Sequence, residues 1–269
     1  MRIGILTSND VRHRHVVNAL RARCEVTAVC YQDTGYVPAD TAAETIDART
    51  AAAVKHHFEE RRRQEEIHFG HNADPVADSR ECGVCTVDPR TLNTGDTLAF
   101  VQRHGVEAVV IYGTGMIKSP LLDAYTGRMV NLHLGLSPYY RGTATNFYPL
   151  LNDEPEYVGA TIHLIDAGID SGPIVHHARP EITADDMPHT VGCKAILAGI
   201  EKLIQAIGEL ADGRLEAVSQ WPVENARLYL RKDYHPSQVV RLYEMIEDGL
   251  FPKYAARKHL VENAMRVIA

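Results

Sequence analysis

Short apolar runs alternate with longer amphipathic stretches through the first 210 residues, and this alternation constrains the fold more than any other feature. Strands are predicted at 2–6, 25–30, 105–113, 129–134, 159–165 and within 172–182. Apolar residues at helical spacing predict helices over 11–22 and about 185–211. Such repetition is typical of a doubly wound α/β fold, a mainly parallel sheet with helices on both faces. Ligands bind at the carboxyl ends of the strands in these sheets, so polar residues that follow a strand are the first site candidates.

Two segments depart from this pattern. Residues 41–69 are rich in Ala, Glu and Arg and predict a long, partly solvated helix, in which the run EERRRQEE is typical of a hydrated face. Residues 214–269 predict a small C-terminal appendage to a domain that spans 1–213. Within this appendage Tyr229 and Tyr234 suit either stacking on a base or a dimer contact, and the sequence leaves both open.

The charge balance limits the classes of partner. The chain has 28 Lys+Arg against 35 Asp+Glu, a net charge of −7, whereas general binders of nucleic acid or anionic membranes need a basic surplus. Its longest apolar runs, such as AVVIY at 108–112, are far shorter than the roughly 20 residues that cross a bilayer. The N-terminus opens directly into a strand, without an apolar signal core. Five cysteines are too few for a disulfide scaffold. We therefore expect a reduced, cytoplasmic protein with no nucleic-acid or membrane partner.

Familiar nucleotide and hydrolase motifs are missing from the sequence. TSNDVRH follows the first strand where a dinucleotide site would carry G-x-G-x-x-G, and no G-x-S-x-G elbow or kinase set occurs. Polar residues lie instead inside apolar strand sequence, at Asn131, His133 and Asp170. Residues 131 and 133 point to one face of a strand, where an amide and an imidazole can both donate to one developing oxyanion. An Asp from another loop can orient the His and favour its protonated form, or relay a proton. Spacing alone equally allows a satisfied core histidine.

Two longer motifs carry a resemblance to a known family. NLHLGLSPYYRG followed by GATIHLIDAGIDSGPIV is similar to the signature of the folate-dependent formyltransferases. The specific part spans 109–175, and its matching residues are Asn131, His133, Ser137, Pro138, Arg141, Gly142, Gly159, Thr161, His163, Asp170, Gly172 and Pro173. The segment YYRGTATNFYPLLNDEPEYVGAT, which joins the two motifs, resembles the branch that formylates surface-polysaccharide sugars and secondary-metabolite amines. Thr145 and Tyr148 stand where many members have Pro and Trp, which bears on the choice of acceptor.

The resemblance implies a Rossmann-like formyltransferase core and transfer of a formyl group from N10-formyltetrahydrofolate, a co-substrate, to an amine. Asn131 and His133 would then hold the oxyanion of the tetrahedral intermediate. Asp170 would raise the His pKa and help remove the amine proton, through water. The pterin would lie against two loops, at the residues Tyr112, Gly113, Thr114, Gly115, Met116, Ile117, Asp166 and Gly168, with largely backbone contacts. The family needs no metal.

Acceptor-binding candidates are Arg12, His13, Tyr140 and Arg141. Arg12 and His13 belong to the basic run 12–15 at the start of a predicted helix, a position that suits phosphate or carboxylate. For a nucleotide-linked amino sugar, the leading acceptor, the diphosphate would lie there or against Arg141. An exposed basic turn is the equal alternative.

His68-x-x-His71 and Cys82-x-x-Cys85 have the spacing of a zinc site, although free thiols remain the favoured interpretation. The adjacent His176 and His177 point to opposite faces of a strand and are not expected to chelate one ion.

Several other functions compete. A methionyl-tRNA formyltransferase shares the chemistry but carries a C-terminal β-barrel that grips the tRNA, whereas residues 214–269 hold nine Lys+Arg against seven Asp+Glu and include a helical stretch, YEMIEDGL. A glycinamide ribonucleotide enzyme would need a glycine-containing phosphate loop near the N-terminus. A formyltetrahydrofolate hydrolase would use the same three residues with water, and a folate-binding module would not need them. Relatives of this size are commonly dimers, so a homodimer is expected.

Overall fold

A twisted, mostly parallel sheet organises the molecule, which the computed structural model describes at residues 1–33 and 46–269. The strands described are β1 (Arg2–Thr7), β2 (Glu25–Gln32), β3 (Gly83–Val87), β4 (Ala108–Tyr112), β5 (Met129–Leu134), β6 (Tyr140–Gly142), β7 (Ala160–Leu164), β8 (Ile174–Ala178) and β9 (Arg227–Tyr229). Within these two ranges, seven of them form one sheet in the order β3-β2-β1-β4-β5-β7-β8. The first five in this order are parallel, and β7 and β8 are antiparallel to their neighbours. β6 and β9 form a small parallel sheet of their own.

Helices cover both faces of the large sheet. Those described are α1 (Val11–Arg21), α2 (Ala48–Phe69), α3 (Gly95–Arg103), α4 (Leu121–Ala124), α5 (Tyr148–Leu151), α6 (Pro188–Ala211), α7 (Pro236–Glu247) and α8 (Leu250–Asn263). Short 3₁₀ turns lie at Gly70–Asn72, Pro155–Tyr157 and Arg231–Asp233. In the two ranges described, no helix combines the length and the apolar character that a membrane crossing requires.

The side chains of β1 show why helices are needed on both sides. Ile3 and Ile5 are fully buried in one hydrophobic cluster with Leu20 of α1, whereas Leu6 is buried in another with Phe100 of α3. Since successive residues of a strand face opposite sides, each face of β1 packs on a different helical layer. The predicted doubly wound fold is confirmed.

The C-terminal segment closes over the loop that follows β5. Tyr140, Tyr148, Leu242 and Phe251 share a third hydrophobic cluster, so the segment packs on residues of the preceding chain. The Tyr229 ring is stacked on Tyr148, with 3.6 Å between the centroids, and is therefore occupied within the chain itself. The boundary near residue 213 stays a prediction.

The structure differs from the sequence-based expectation at three places. Strand β3 and helix α3 were not predicted, and β3 is a short edge strand with only one buried residue, Gly83. The helix expected over 41–69 begins at Ala48, after the Asp47 side chain accepts the Thr50 N–H, and residues 41–45 lie outside the described ranges. The last two strands are antiparallel, which alternation alone does not reveal.

Candidate active site

Asn131 and His133 lie on one face of β5, and the antiparallel neighbour β7 supplies a third polar side chain. The register pairs Asn131 with His163 and His133 with Thr161. His163 Nδ1 contacts the carbonyl of Leu164 over 2.8 Å, and its Nε2 lies 2.9 Å from Asn131 Nδ2. Because a carbonyl only accepts, Nδ1 of the neutral ring donates and Nε2 accepts from the Asn131 amide. His163 thus fixes which way that amide points.

His133 lies between two acceptors and is 6% exposed. Its Nδ1 is 3.4 Å from Asp170 Oδ2, and its Nε2 is 3.2 Å from the carbonyl of Tyr140. The protonated ring can donate to both, while the neutral ring gives up one of these contacts. Burial lowers the His133 pKa, and Asp170 opposes this shift by favouring the protonated ring. The expectation that Asp170 raises the His133 pKa is confirmed as one contribution, although burial outweighs it in the net shift.

Asp170 occupies the loop between β7 and β8 in an unusual backbone conformation. Its φ is +46°, a left-handed value that non-glycine residues seldom adopt. Its carbonyl accepts from Gln220 Nε2 over 2.7 Å, and its Oδ2 accepts from the Gly142 N–H over 2.9 Å. Burial would raise the Asp170 pKa, but the charge of His133 and the Gly142 N–H lower it below the usual range. The carboxylate is therefore ionised at neutral pH.

Gly142 delivers its N–H to Asp170 from a position where a side chain does not fit. Its φ is +95°, and a Cβ there would lie 1.9 Å from the Tyr229 carbonyl oxygen of β9. Glycine is the residue that adopts this conformation without a steric cost. The pairing of β6 with β9 thus depends on glycine here, and so does the bond to Asp170.

A cavity of about 710 Å³ joins these side chains to the loop after β4. It is lined by all the residues expected at the catalytic and folate positions: Asn131, His133, Asp170, Tyr112, Gly113, Thr114, Gly115, Met116, Ile117, Asp166 and Gly168. The Gly115 N–H donates to Gln32 Oε1 over 2.8 Å, which fixes the first of the two loops, residues 112–117 after β4; the second comprises residues 166–170. Asp166 accepts from the Gly168 N–H and from Ser171, so its carboxylate shapes the second loop.

Comparison with known proteins gives the family. The model of the formyl transferase family matches residues 26–207, which is more than half of the chain. This chain belongs to the formyl transferase family. The methionyl-tRNA formyltransferase of Synechococcus elongatus is 31% identical over 163 residues, 58% of this chain and 49% of the relative. That of Thermodesulfovibrio yellowstonii is 28% identical over 193 residues, 70% of this chain and 62% of the relative. The chain spans about half the length of the first of these curated relatives.

Solved structures share the fold. A sugar N-formyltransferase from a Shewanella species has a TM-score of 0.57 at 17% identity, covering 90% of this chain and 87% of the other. An N-formyltransferase from Helicobacter canadensis, in complex with folinic acid and dTDP-3-aminofucose, has a TM-score of 0.55 at 16% identity, covering 90% and 80%. At these identities the likeness is one of fold.

In this formyl transferase family member the four acceptor-binding candidates separate. Arg12 and His13 line the cavity, whereas Tyr140 and Arg141 do not. The Tyr140 side chain is 1% exposed and bonds Glu154, so its contribution to the site is the carbonyl that faces His133. An acceptor contact through the Tyr140 side chain stays a prediction, and the structure places this side chain outside the cavity lining.

The basic run at the start of α1 is also not a simple anion site. Burial lowers the His13 pKa to about 4, so the ring is neutral at pH 7. Arg14 bonds backbone carbonyls of Asn9 and Ala73, which leaves Arg12 as the cation of this run that lines the cavity.

Residues 68, 71, 82 and 85 are not gathered into one site. Cys85 Sγ lies 3.2 Å from Cys30 Sγ across β2 and β3, and the His71 ring contacts His15. In residues 1–33 and 46–269, no group of three or more His, Cys, Asp or Glu side chains is placed to hold a metal ion. His176 bonds Glu209 and His177 bonds the Ser137 carbonyl, so the adjacent pair has separate partners.

Sequence reasoning missed two residues that position the site. His163 is part of the quoted motif, and its register opposite Asn131 was available once β5 and β7 were taken as neighbours. Gln220 carries no such signal, because it lies 50 residues from the Asp170 carbonyl it bonds and stands in the C-terminal segment.

Proposed function

We propose that the chain is an N-formyltransferase that moves a formyl group from N10-formyltetrahydrofolate to a primary amine of a small molecule. The observation that carries this proposal is the cluster of Asn131, His133 and ionised Asp170 at one wall of a cavity that also reaches the loop after β4. Membership of the formyl transferase family supports the reaction class.

Asn131 and His133 would stabilise the negative charge that develops on the formyl oxygen. Their contacts with Asp170 are 3.4 Å long, which is weak for hydrogen bonds, so a better acceptor can replace Asp170 at little cost without a rotation of the Asn131 amide. Since one N–H of the Asn131 amide donates to His163 and fixes the amide, the other N–H is left to donate within the site. Such donors act where charge appears in the transition state.

Asp170 would take the proton that the amine loses, directly or through water. The attacking amine must be uncharged, because a protonated amine has no lone pair. A carboxylate ionised at neutral pH has the capacity to accept this proton, and His133 beside it provides a second stage of proton transfer. Asn131, His133 and Asp170 are thus proposed as the catalytic residues.

The folate co-substrate would lie between loop 112–117 and loop 166–170, and it would supply the formyl group. Both loops line the cavity and each is held by its own hydrogen bonds, which suits recognition of a flat heterocycle through backbone groups. The Helicobacter canadensis structure, which holds folinic acid, supports this assignment by analogy of fold.

A nucleotide-linked amino sugar is the leading acceptor, and methionyl-tRNA is the alternative. The sugar N-formyltransferases among the structural neighbours support the first, and the methionyl-tRNA formyltransferases among the sequence relatives support the second. Residues 214–269 form a short strand, a 3₁₀ turn and two helices with nearly balanced charge, which is a poor surface for a polyanion. We therefore favour the sugar. A homodimer and a cytoplasmic location remain predictions from sequence.

The test is incubation with N10-formyltetrahydrofolate and a panel of amines that includes nucleotide amino sugars and methionyl-tRNA. Tetrahydrofolate release should require one acceptor, and that acceptor should gain the mass of one CO unit, while His133→Ala should abolish both signals. Release without any acceptor would favour the hydrolase instead. No release with any acceptor would refute the proposal.

A further inference from the structure

Two cysteines face each other across β2 and β3, at one edge of the large sheet. The parallel register pairs Cys30 of β2 with Cys85 of β3, and their Sγ atoms lie 3.2 Å apart. All five cysteines of the chain lie in the described ranges and are free thiols. The proposed reaction gives this pair no role, because neither side chain lines the cavity.

The backbone around the pair has the geometry that a disulfide requires. Neighbouring strands of a sheet lie about 4.7–4.9 Å apart, within the range of roughly 4.4–6.8 Å that separates the Cα atoms of bonded cysteines. The two sulfurs need to approach by about 1 Å to reach the disulfide bond length of about 2.05 Å. A bond between Cys30 and Cys85 therefore needs only small adjustments of the two strands.

The two thiols differ in access and in acidity. Cys30 is fully buried, whereas Cys85 is partly exposed on the edge strand. The hydrogen bond between the thiols lowers the pKa of Cys85, and the positive charge of Arg103 on α3 acts in the same direction. That hydrogen bond and burial both raise the pKa of Cys30. Because the thiolate is the reactive form of cysteine, Cys85 is the sulfur that reacts first with an oxidant from solvent.

The pair also lies beside an anchor of loop 112–117. Gln32 follows Cys30 by two residues at the end of β2, and it accepts the Gly115 N–H of that loop over 2.8 Å. The parallel register continues from the cysteines to Gln32. Cys30 is buried in the same hydrophobic cluster as Ile117, which belongs to the loop. A movement of β3 against β2 at the cysteines therefore reaches the loop by two routes, the Gln32 bond and the cluster.

We propose that a hydroperoxide oxidises Cys30 and Cys85 to a reversible disulfide, and that this bond weakens the hold of Gln32 on loop 112–117. The second part rests on the proposed function, because it is there that the loop is assigned to the folate. The disulfide itself does not depend on that assignment.

The oxidation takes place in two balanced steps. The Cys85 thiolate attacks one oxygen of hydrogen peroxide, the O–O bond breaks, and the released hydroxide takes up the proton that the Cys85 thiol had lost. Cys85 is then a sulfenic acid. The Cys30 sulfur attacks the Cys85 sulfur, the S–O bond breaks, and the Cys30 proton leaves with the hydroxide as water. Two thiols are oxidised and one peroxide is reduced to two waters, and a small thiol reverses the bond by exchange.

Peptide mapping after peroxide treatment tests the bond itself. Folded wild-type protein is exposed to hydrogen peroxide, the free thiols are blocked by alkylation, and the digest is analysed by mass spectrometry with and without a reductant. We expect the peptides that contain residues 30 and 85 to be linked, with the loss of two hydrogens. The reductant should separate them.

Three variants distinguish the roles of the two sulfurs. Cys30→Ala removes the second thiol, so Cys85 should stop at the sulfenic acid and react with dimedone, which traps that species. Cys85→Ser, on the partly exposed edge strand, should give neither the disulfide nor the dimedone adduct, because the remaining Cys30 is buried. Cys24→Ser is the matched control. Cys24 is partly exposed like Cys85, but burial raises its pKa, so its replacement should leave the disulfide unchanged.

Binding of folinic acid measures the effect on the loop. Calorimetry compares reduced and oxidised protein after the peroxide is removed, and oxidation should weaken the affinity about twofold to tenfold, the effect of one hydrogen bond. Gln32→Ala should weaken the affinity of the reduced protein by a similar factor, and oxidation should cause no further loss in this variant. Met116 is an exposed residue of the same loop and a second target of peroxide. A thiol reductant separates the two effects, because it restores cysteines and not methionine sulfoxide.

Each outcome decides the proposal. If no link forms between residues 30 and 85 in folded wild-type protein, the proposal is overturned. A disulfide that leaves the affinity for folinic acid unchanged overturns the effect on the loop, and so does an equal loss of affinity in peroxide-treated Cys85→Ser. If the disulfide forms but the reduced protein does not bind folinic acid, the oxidisable pair stands and the proposed function fails.

Discussion

Replacing Asp170 with asparagine separates the chemical role of this residue from its structural role. Asn has nearly the same shape, and it tolerates the left-handed backbone that gives Asp170 a φ of +46°. Its side-chain oxygen can still accept the Gly142 N–H, now 2.9 Å from Oδ2. The substitution removes the negative charge beside His133 and the capacity to accept a proton.

The expected magnitudes follow from these contacts. Removing a positioned general base costs about 10²–10⁴-fold in rate, which corresponds to about 3–5 kcal/mol of transition-state stabilisation. The same substitution should change the free energy of unfolding by less than about 1 kcal/mol, because each backbone bond is kept. Asp170→Ala should lose both functions. It adds about 1–2 kcal/mol for a side chain other than Gly, Asn or Asp in the left-handed region and about 1–3 kcal/mol for the orphaned Gly142 N–H.

The assays are kcat/KM from tetrahydrofolate release and the free energy of unfolding from chemical denaturation, for wild type and both variants. We expect the Asn variant to be stable and inactive, and the Ala variant to be inactive and less stable by about 2–5 kcal/mol. An Asn variant with near-normal turnover would refute the assignment of Asp170 to proton transfer. An Asn variant as unstable as the Ala variant would refute the description of the loop.

Three further predictions concern residues around the site. His163→Gln should lower kcat about tenfold to hundredfold with little change in folate KM, because the ring orients the amide of Asn131, a proposed catalytic residue. A loss of folded protein large enough to account for the lost activity would indicate a merely structural role. Gln220→Ala removes two bonds, of 2.7 and 3.0 Å, to carbonyls of the catalytic loop, and should destabilise by about 1–3 kcal/mol and reduce kcat, whereas the exposed neighbour Ser219→Ala should do neither. Burial lowers the His177 pKa from 6.5 to about 4, so the unfolded chain binds the proton first as the pH falls, and stability should decrease between these values. As the pH is lowered from 6.5 to about 4, the denaturant concentration at the midpoint of unfolding should fall less steeply for His177→Gln than for wild type. The exposed control His259→Gln should behave like wild type.

The strand that carries the proposed catalytic residues Asn131 and His133 was predictable because its sequence signal is local. A period of two places Asn131 and His133 on one face of their strand. The alternation of strands and helices indicates a parallel sheet, in which the carboxyl end of this strand lies where ligands bind. The position of Asp170 followed from the motif and its loop. Its φ of +46° and the Gln220 bond did not, because both depend on a segment far along the chain.

The polar face of α2 shows where sequence reasoning stops. The run EERRRQEE is what a solvated helix face looks like, and the burial of Glu65 arises from Arg12 and the packing of α2 in the fold. The lowered pKa of His133 likewise arises from burial in the assembled fold. A charge partner can be inferred from motif positions, whereas the burial that outweighs it is a property of the assembled structure.

The most direct test of the account follows the formyl carbon itself. Protein is supplied with N10-formyltetrahydrofolate labelled with ¹³C at the formyl group and with the acceptor that supports turnover, and the label is located by NMR and mass spectrometry. The account predicts that one labelled formyl group appears as an amide on the acceptor nitrogen for each tetrahydrofolate released. Label that accumulates as free formate, or that stays on the folate while the acceptor is unchanged, would contradict it.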